Sequence, residues 1–269
     1  MTTKTPDGER SRGAEVAYEA IAPYYDDFTA HHDYELWIGN LMPELERHGL
    51  RGDRLLDVAC GTGKSFIPML RRGWRVSAND VSPAMVALAR EKVGAEVELT
   101  VADMRELPTL GEFDFVTCLD DAVNYLLDGE ELERALRGMK RNLAPTGLLL
   151  FDLNTIVVYR TFFSAEVVVE HGGRRLVWRG HPNPDPSPGT IGEASFEVLP
   201  AAGEGEEPLL EPEVHRQRHF PEVEVLERME RAGLECLDVY GHGDDAVLHQ
   251  PLRDEAHTKA VYIARPRPS

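Results

Sequence analysis

One nine-residue run constrains this chain more than any other: Leu55-Leu56-Asp57-Val58-Ala59-Cys60-Gly61-Thr62-Gly63. An apolar strand passes without pause into a glycine-rich turn and then into helical periodicity from Ser65 to Arg72. Glycines let a backbone approach a ligand closely, and the start of the following helix leaves N–H groups unpaired. A fold that accommodates such a turn ends a strand at a sheet edge able to hold a ligand.

The surrounding sequence repeats the pattern. Apolar runs that fit buried strands (Arg54–Ala59, Arg75–Asn79, Val97–Val101, Phe113–Cys118, Leu148–Leu153) alternate with helical patterns at Ser65–Arg72, Pro83–Lys92 and Glu130–Leu143. Strands alternating with helices make βαβ units, hence an α/β doubly wound parallel sheet covered on both faces. Ser82-Pro83 reads as an N-cap followed by proline at the first helical position. Two amphipathic helices, Val16–Phe28 and Tyr34–Leu45, precede the first strand, and the polar residues 1–12 read as a frayed end.

After Asn154 the pattern changes to four antiparallel strands, Val167–Glu170, Arg174–His181, Ile191–Leu199 and Glu213–Phe220. A Pro-rich tip (182–189) and an acidic Gly/Pro loop (200–212) join them. A helix at Glu222–Ala232, a strand at Leu234–Tyr240, a loop rich in Gly, Asp and His, and a strand at Ala260–Ala264 then rejoin the main sheet. The chain thus divides into residues 1–154 (helices and ligand-binding core), 155–220 (antiparallel insertion, a substrate cap) and 221–269 (completion of the sheet).

Charge narrows the function. A formal net charge of −18 opposes phosphate backbones, so no nucleic-acid partner is expected, and the same field favours a cationic small molecule. No apolar stretch approaches the roughly 20 residues that cross a bilayer, so no membrane partner is expected, and no basic-then-apolar leader is visible. Cys60, Cys118 and Cys236 show neither a CxxC pair nor regular spacing, which argues against a zinc site or disulfide framework and for a reducing cytoplasm.

Three ligand classes compete for the glycine turn. A P-loop needs a leading glycine where Val58 stands, and a dinucleotide site needs a third glycine where Phe66 stands. S-adenosylmethionine, which has no phosphate, suits the shorter Gly61-Thr62-Gly63 turn. Asp80, closing the second strand, is a carboxylate for two ribose hydroxyls, and Asp103, closing the third, is an acceptor for the adenine amine beside the Met104 N–H. Asp57 either joins this acidic series or only orients the turn, and Asp103 alternatively caps a loop.

With these motifs the chain resembles the class I S-adenosylmethionine-dependent methyltransferases from about Tyr18 to Asn154 and again in its C-terminal helix and strands. Tyr24-Tyr25-Asp26-Asp27-Phe28, Ala102-Asp103-Met104-Arg105-Glu106-Leu107, the 120–126 stretch Asp-Asp-Ala-Val-Asn-Tyr-Leu, Phe151-Asp152-Leu153-Asn154 and His215-Arg216-Gln217-Arg218-His219-Phe220 sharpen the likeness. They resemble small-molecule N-methyltransferases of antibiotic biosynthesis, in particular sugar N,N-dimethyltransferases and lincosamide N-methyltransferases. The resemblance implies a Rossmann-like seven-stranded sheet in the order 3-2-1-4-5-7-6 with the last strand antiparallel. It also implies that Tyr25 and nearby aromatics close over the methionine part of the cofactor. The candidate cofactor set is Tyr25, Trp37, Asp57, Ala59, Gly61, Asp80, Val81, Met85, Asp103, Met104 and Leu119.

A sulfonium methyl is already activated, so the protein must mainly hold a nucleophile in line with the S–C bond. The segment after the fourth strand and Asn154 at the end of the fifth fall over that crevice, giving Tyr18, Asn124, Tyr125 and Asn154 as candidate substrate residues. Asp121, Asn124 and Tyr18 are the catalytic candidates, with core packing for Tyr125 and a helix cap for Asn124 as the plainer alternatives. Aromatics ahead of the sheet (Tyr18, Tyr24, Tyr25, Tyr34, Trp37) serve either as core or as a lid that stabilises a cation. No metal is expected: Asp120, Asp121 and Asn124 come from one short segment, His31 and His32 point two ways on a helix, and His215 and His219 sit in an extended run. One histidine remains a candidate substrate ligand or proton acceptor.

The expected activity is N-methylation of a small secondary-metabolite amine such as an amino sugar or a lincosamide-type precursor. O-methylation is the alternative within the class, and a noncatalytic cofactor-binding scaffold the alternative outside it. The insertion is expected to set substrate choice or to pair copies through its strand edges.

Overall fold

The computed structural model describes residues 7–205, 207–243 and 247–268. The polar residues 1–6, Glu206 of the acidic loop and residues 244–246 of the Gly/Asp/His loop lie outside this set. Residues 7–12 are helical rather than frayed, the opening of α1 (Asp7–Phe28). After α2 (Tyr34–Arg47) come β1 (Arg54–Val58), α3 (Ile67–Arg71), β2 (Arg75–Asp80), α4 (Pro83–Val93), β3 (Glu98–Val101), β4 (Phe113–Cys118), α5 (Gly129–Arg141) and β5 (Leu143–Asn154).

A short α6 (Ile156–Arg160) leads into the insertion, made of β6 (Glu166–His171), β7 (Arg174–His181), β8 (Ile191–Pro200) and β9 (Leu210–Arg218). The chain returns through α7 (Glu222–Ala232), β10 (Leu234–His242), β11 (Leu248–His249) and β12 (Lys259–Pro266).

The main sheet runs β3-β2-β1-β4-β5-β12-β10-β11, parallel from β3 to β5, with β12 antiparallel to both neighbours. With the insertion strands set aside this is the expected 3-2-1-4-5-7-6 order. The correction is one extra edge strand, the two-residue β11. The insertion forms a separate antiparallel sheet, β6-β7-β8-β9.

Strand alternation explains the two covered faces. Leu149, Phe151 and Leu153 of β5, with Ala260, Tyr262 and Ala264 of β12, pack under α5 and α7. Leu148 and Leu150, with Val261 and Ile263, pack on the other face under Ile38, Leu41 and Leu45 of α2. Successive residues of a strand point to opposite faces, so a strand covered on both sides is apolar throughout. A third cluster joins Ile21 and Ala22 of α1 to Trp178, Phe196 and Val198 of the insertion sheet. Ser82 does cap α4, its hydroxyl accepting from the Met85 N–H at 3.1 Å with Pro83 in the first turn.

Candidate active site

The carboxyl ends of β1, β2, β4 and β5 open onto a cleft roofed by α1 and by the inner face of the insertion sheet. Backbone strain concentrates here. Ala59, Asp120 and Asp121 are the non-glycine residues with positive φ (58°, 60° and 54°) among the described residues, and all three line the cleft. Left-handed geometry at such residues costs on the order of 1–3 kcal/mol each and survives only where surrounding contacts fix it.

Those contacts are visible at both turns. Asp80 accepts the Gly61 N–H at 2.8 Å and the Ser82 N–H at 2.9 Å, so one carboxylate holds the glycine turn and the start of α4. Burial pushes its pKa up, with the backbone donors pulling the other way. Asp152 accepts the N–H groups of Asp120 (2.6 Å) and Asp121 (3.0 Å), which fixes the turn after β4. The Lys259 ammonium lies among Asp120 (3.5 Å), Asp152 (3.1 Å) and Asp121. Against burial, which raises it, Lys259 and His32 hold the Asp120 carboxyl below the usual carboxylate range, whereas burial keeps Asp121 and Asp152 above it.

The cleft has two cofactor-side cavities and an inner one. The first two bring together Tyr18, Tyr25, Ala59, Gly61, Asp80, Val81, Met104, Leu119 and Tyr125 from the sequence-selected set, with Asp103 beside Asn79 and Arg105. The inner cavity adds Asp121 and Asn154 to Tyr18, Tyr25 and Tyr125, walled by Phe28, Phe162, Phe163, Trp178 and Phe196 and floored by His215 and Gln217. Tyr18, Tyr25, Asp120 and Tyr125 line both regions and so form their junction.

Four sequence candidates lie elsewhere. Asp57 is 1% exposed and accepts from the hydroxyls of Ser65 and Thr117 (2.6 Å to the latter), so it orients the turn from beneath. Met85 is fully buried beneath α1, and Trp37 lines a neighbouring cavity with Tyr34 and His242. Asn124, also fully buried, is neither a helix cap nor a wall of the cleft. It donates to the Tyr159 hydroxyl (3.1 Å) and the Arg218 carbonyl (2.8 Å) and accepts from the Asn154 N–H (2.9 Å), tying β5 to the end of β9. His31 and His32 sit in the turn after α1 rather than on a helix.

Lys259, Asp152, Gln217 and Trp178 went unnoticed in the sequence as site residues. Lys259 stands 138 positions from Asp121, and no local pattern announces such a contact. His215 was visible only as one of several histidines.

The cofactor-side cavities fit a nucleoside. Asn79 Oδ1 is buried without a partner among the described residues, on the wall shared with Asp103 and Met104, an acceptor suited to an exocyclic amine. Asp103 itself is gripped by the Arg105 guanidinium (2.9 Å) and caps the following 3-10 turn through the Arg105 N–H. A Cβ on Gly61 would meet only the Tyr25 ring, at 3.7 Å, so this glycine keeps open the space between turn and aromatic wall.

A parallel sheet with a glycine turn at the carboxyl edge of β1 and a carboxylate at the end of β2 is an arrangement by which doubly wound folds bind a nucleoside. Comparison with known proteins agrees. Residues 55–147 match the family described as Methyltransferase domain. A Geobacillus sp. (strain WCH70) protein, GWCH70_2453, provisionally named a methyltransferase, is 28% identical over 229 residues, covering 83% of this chain and 91% of its own. The sugar N-methyltransferase KedS8 from Streptoalloteichus sp. ATCC 53650 superposes with a TM-score of 0.70 at 27% identity, covering 91% of this chain and 93% of that one. The dTDP-4-amino-2,3,4,6-tetradeoxy-D-glucose N,N-dimethyltransferase of Saccharopolyspora spinosa is 35% identical over 98 residues, covering 36% of this chain and 39% of its own. Residues 55–147 thus form a methyltransferase domain, the chain has the fold of S-adenosylmethionine-dependent methyltransferases, and S-adenosylmethionine is the cofactor.

Proposed function

We propose that this methyltransferase acts on an amine nitrogen of a small secondary metabolite, in the manner of enzymes that decorate antibiotic precursors such as amino sugars or lincosamides. The observation that carries the proposal is the inner cavity. Its described lining holds five Phe or Trp side chains, three tyrosines and the carboxylates of Asp120 and Asp121, and no Lys or Arg; the Lys259 ammonium lies behind those carboxylates and shares them with Asp152. Aromatic faces and carboxylates stabilise a cation, at about 0.5–2 kcal/mol per ring, and offer nothing to a phosphate. The cavity meets the cofactor side at Tyr18, Tyr25, Asp120 and Tyr125, which supports a nucleophile approaching along the line of the sulfonium methyl.

Bound S-adenosylmethionine supplies the activated methyl group. In our reading Asp80 and Gly61 hold its ribose side, Asn79 and Asp103 its adenine, and Tyr25 covers its methionine part. An ammonium must lose a proton before its lone pair can attack, and Asp121, a carboxyl that burial keeps above its usual range, is our candidate to accept it. Asn154 and Gln217 hydrogen-bond each other (2.9 Å), and Gln217 donates to Asp121 (2.5 Å), so the three brace one another beneath the acceptor.

The sugar N-methyltransferase likeness supports nitrogen as the acceptor. Three free thiols, Cys60, Cys118 and Cys236, support the reducing cytoplasm read from the sequence, and among the described residues no helix is long and apolar enough to cross a membrane. The deciding experiment follows labelled methyl from S-adenosylmethionine into a panel of amines and their hydroxyl counterparts, with products identified by mass spectrometry. N-methyl products are expected; methyl ethers alone would move the assignment to oxygen, and no transfer to any compound would favour a scaffold.

A further inference from the structure

The inner face of the insertion sheet carries two buried polar atoms without a partner among the described residues. Trp178 on β7 and His215 on β9 both line the inner cavity, are 6% and 1% exposed, and have ring centroids 5.3 Å apart. Trp178 Nε1 and His215 Nε2 make no hydrogen bond among the described residues. Neighbouring polar groups differ. Gln217, two residues along β9, spends its amide nitrogen on Asp121 and its oxygen on Asn154, and the other ring nitrogen of His215 meets the Tyr125 hydroxyl at 2.8 Å. Buried polar atoms left unpaired are costly, and a native structure retains them where a ligand or water completes the bond.

Resting on the amine reading above, we infer that Trp178 Nε1 and His215 Nε2 together bind an oxygen substituent of the acceptor molecule, so that the preferred substrate is an amine carrying a nearby hydroxyl. The chemistry selects a hydroxyl. Indole N–H only donates, so its partner must be an acceptor atom. The imidazole nitrogen donates or accepts according to its tautomer, and a hydroxyl both accepts from the indole and answers either tautomer. No charged group contributes to the downward shift of the His215 pKa to about 4, which burial alone produces; its ring neighbours are Tyr18 of α1, Tyr125 of the turn after β4, and Trp178. A neutral ring suits a neutral oxygen. Trp178 and His215 act here as specificity residues, with the amine lying toward Asp121 and the cofactor side.

The test uses trans-2-aminocyclohexanol and cyclohexylamine, titrated calorimetrically into the full chain saturated with S-adenosylhomocysteine. The wild type is expected to bind the amino alcohol about tenfold more tightly, the size of one net hydrogen bond. Trp178→Phe and His215→Phe, which keep an aromatic ring and remove the nitrogen, are expected to bring that ratio near one while S-adenosylhomocysteine affinity is retained. Equal binding of the two probes by the wild type, binding of neither, or a preference that survives in both variants would overturn the inference. Methyl transfer is scored separately. If the amino alcohol is preferred but methylated only on oxygen, the nitrogen reading fails and the hydroxyl-binding pair stands.

Discussion

Asp80 does two jobs with one carboxylate, and both are lost when it is removed. Its oxygens hold the Gly61 and Ser82 N–H groups, and in the proposed complex they also take the ribose hydroxyls. Asp80→Ala is expected to weaken S-adenosylhomocysteine binding at least about tenfold by calorimetry, since each hydrogen bond to a charged group contributes roughly 1.5–3 kcal/mol. His215 makes a different prediction. Burial lowers its pKa from 6.5 to about 4, so the stability it contributes is complete above pH 6.5 and is lost as pH falls towards 4. Between pH 7 and pH 4.5 the wild type should lose about 2–3 kcal/mol more than His215→Phe, measured by urea unfolding at each pH. At this scale the sequence was informative where function is local. Gly61, Asp80 and Asp103 lie at or just past strand ends, so their place on the cleft wall was legible from the strand–turn–helix pattern. Asp57 sits in the same pattern, yet alternation along β1 turns it towards Ser65 and Thr117. Trp178 reaches the cleft, and Lys259 the acidic residues at its edge, only through tertiary pairing, which one sequence cannot display.

Among the elements, legibility tracked periodicity and capping. Helix α7 matched its expected bounds because an apolar stripe ends at Gly233, whose φ of 78° is the left-handed geometry that closes helices. Strand β5 instead begins at Leu143, five residues before the expected Leu148, and takes in Pro145 and Gly147, residue types that strands seldom hold in their interior. The insertion sheet was legible as four strands, and its docking to the core depends on two small residues. A Cβ on Gly180 would lie 2.3 Å from the Phe163 carbonyl carbon, and one on Gly192 2.8 Å from the Phe163 ring. Gly180→Val is therefore expected to destabilise the protein by roughly 1–3 kcal/mol or more and to depress methyl transfer, with S-adenosylhomocysteine affinity changed less than about twofold. Thermal unfolding and calorimetry separate the two effects. The edge strand β9 packs against α1 and the turn carrying Tyr125, which associates the insertion with the cleft; pairing of copies through it, an expectation from the sequence, gains no support from the fold.

Taken whole, the molecule is an anion of formal charge −18 whose acceptor cavity carries two carboxylates and, in its described lining, no Lys or Arg. A cationic amine is drawn to such a surface, and salt weakens that attraction because the Debye length shrinks from about 14 Å at 0.05 M to about 4 Å at 0.5 M. Raising ionic strength across this range should raise KM for a cationic amine several-fold and leave kcat within about twofold, in steady-state assays at constant pH.

The strand that supplies Lys259 enters the middle of the main sheet rather than its rim, between β5 and β10. A ribosome releasing this chain delivers that strand after every other strand described here. Until it slots in, Asp120, Asp121 and Asp152 face one another without their shared cation, and the floor beneath the reacting atoms stays unassembled. Nascent chains stopped before Lys259 should therefore display the glycine turn but lack the cation that ties the turn after β4 to β5.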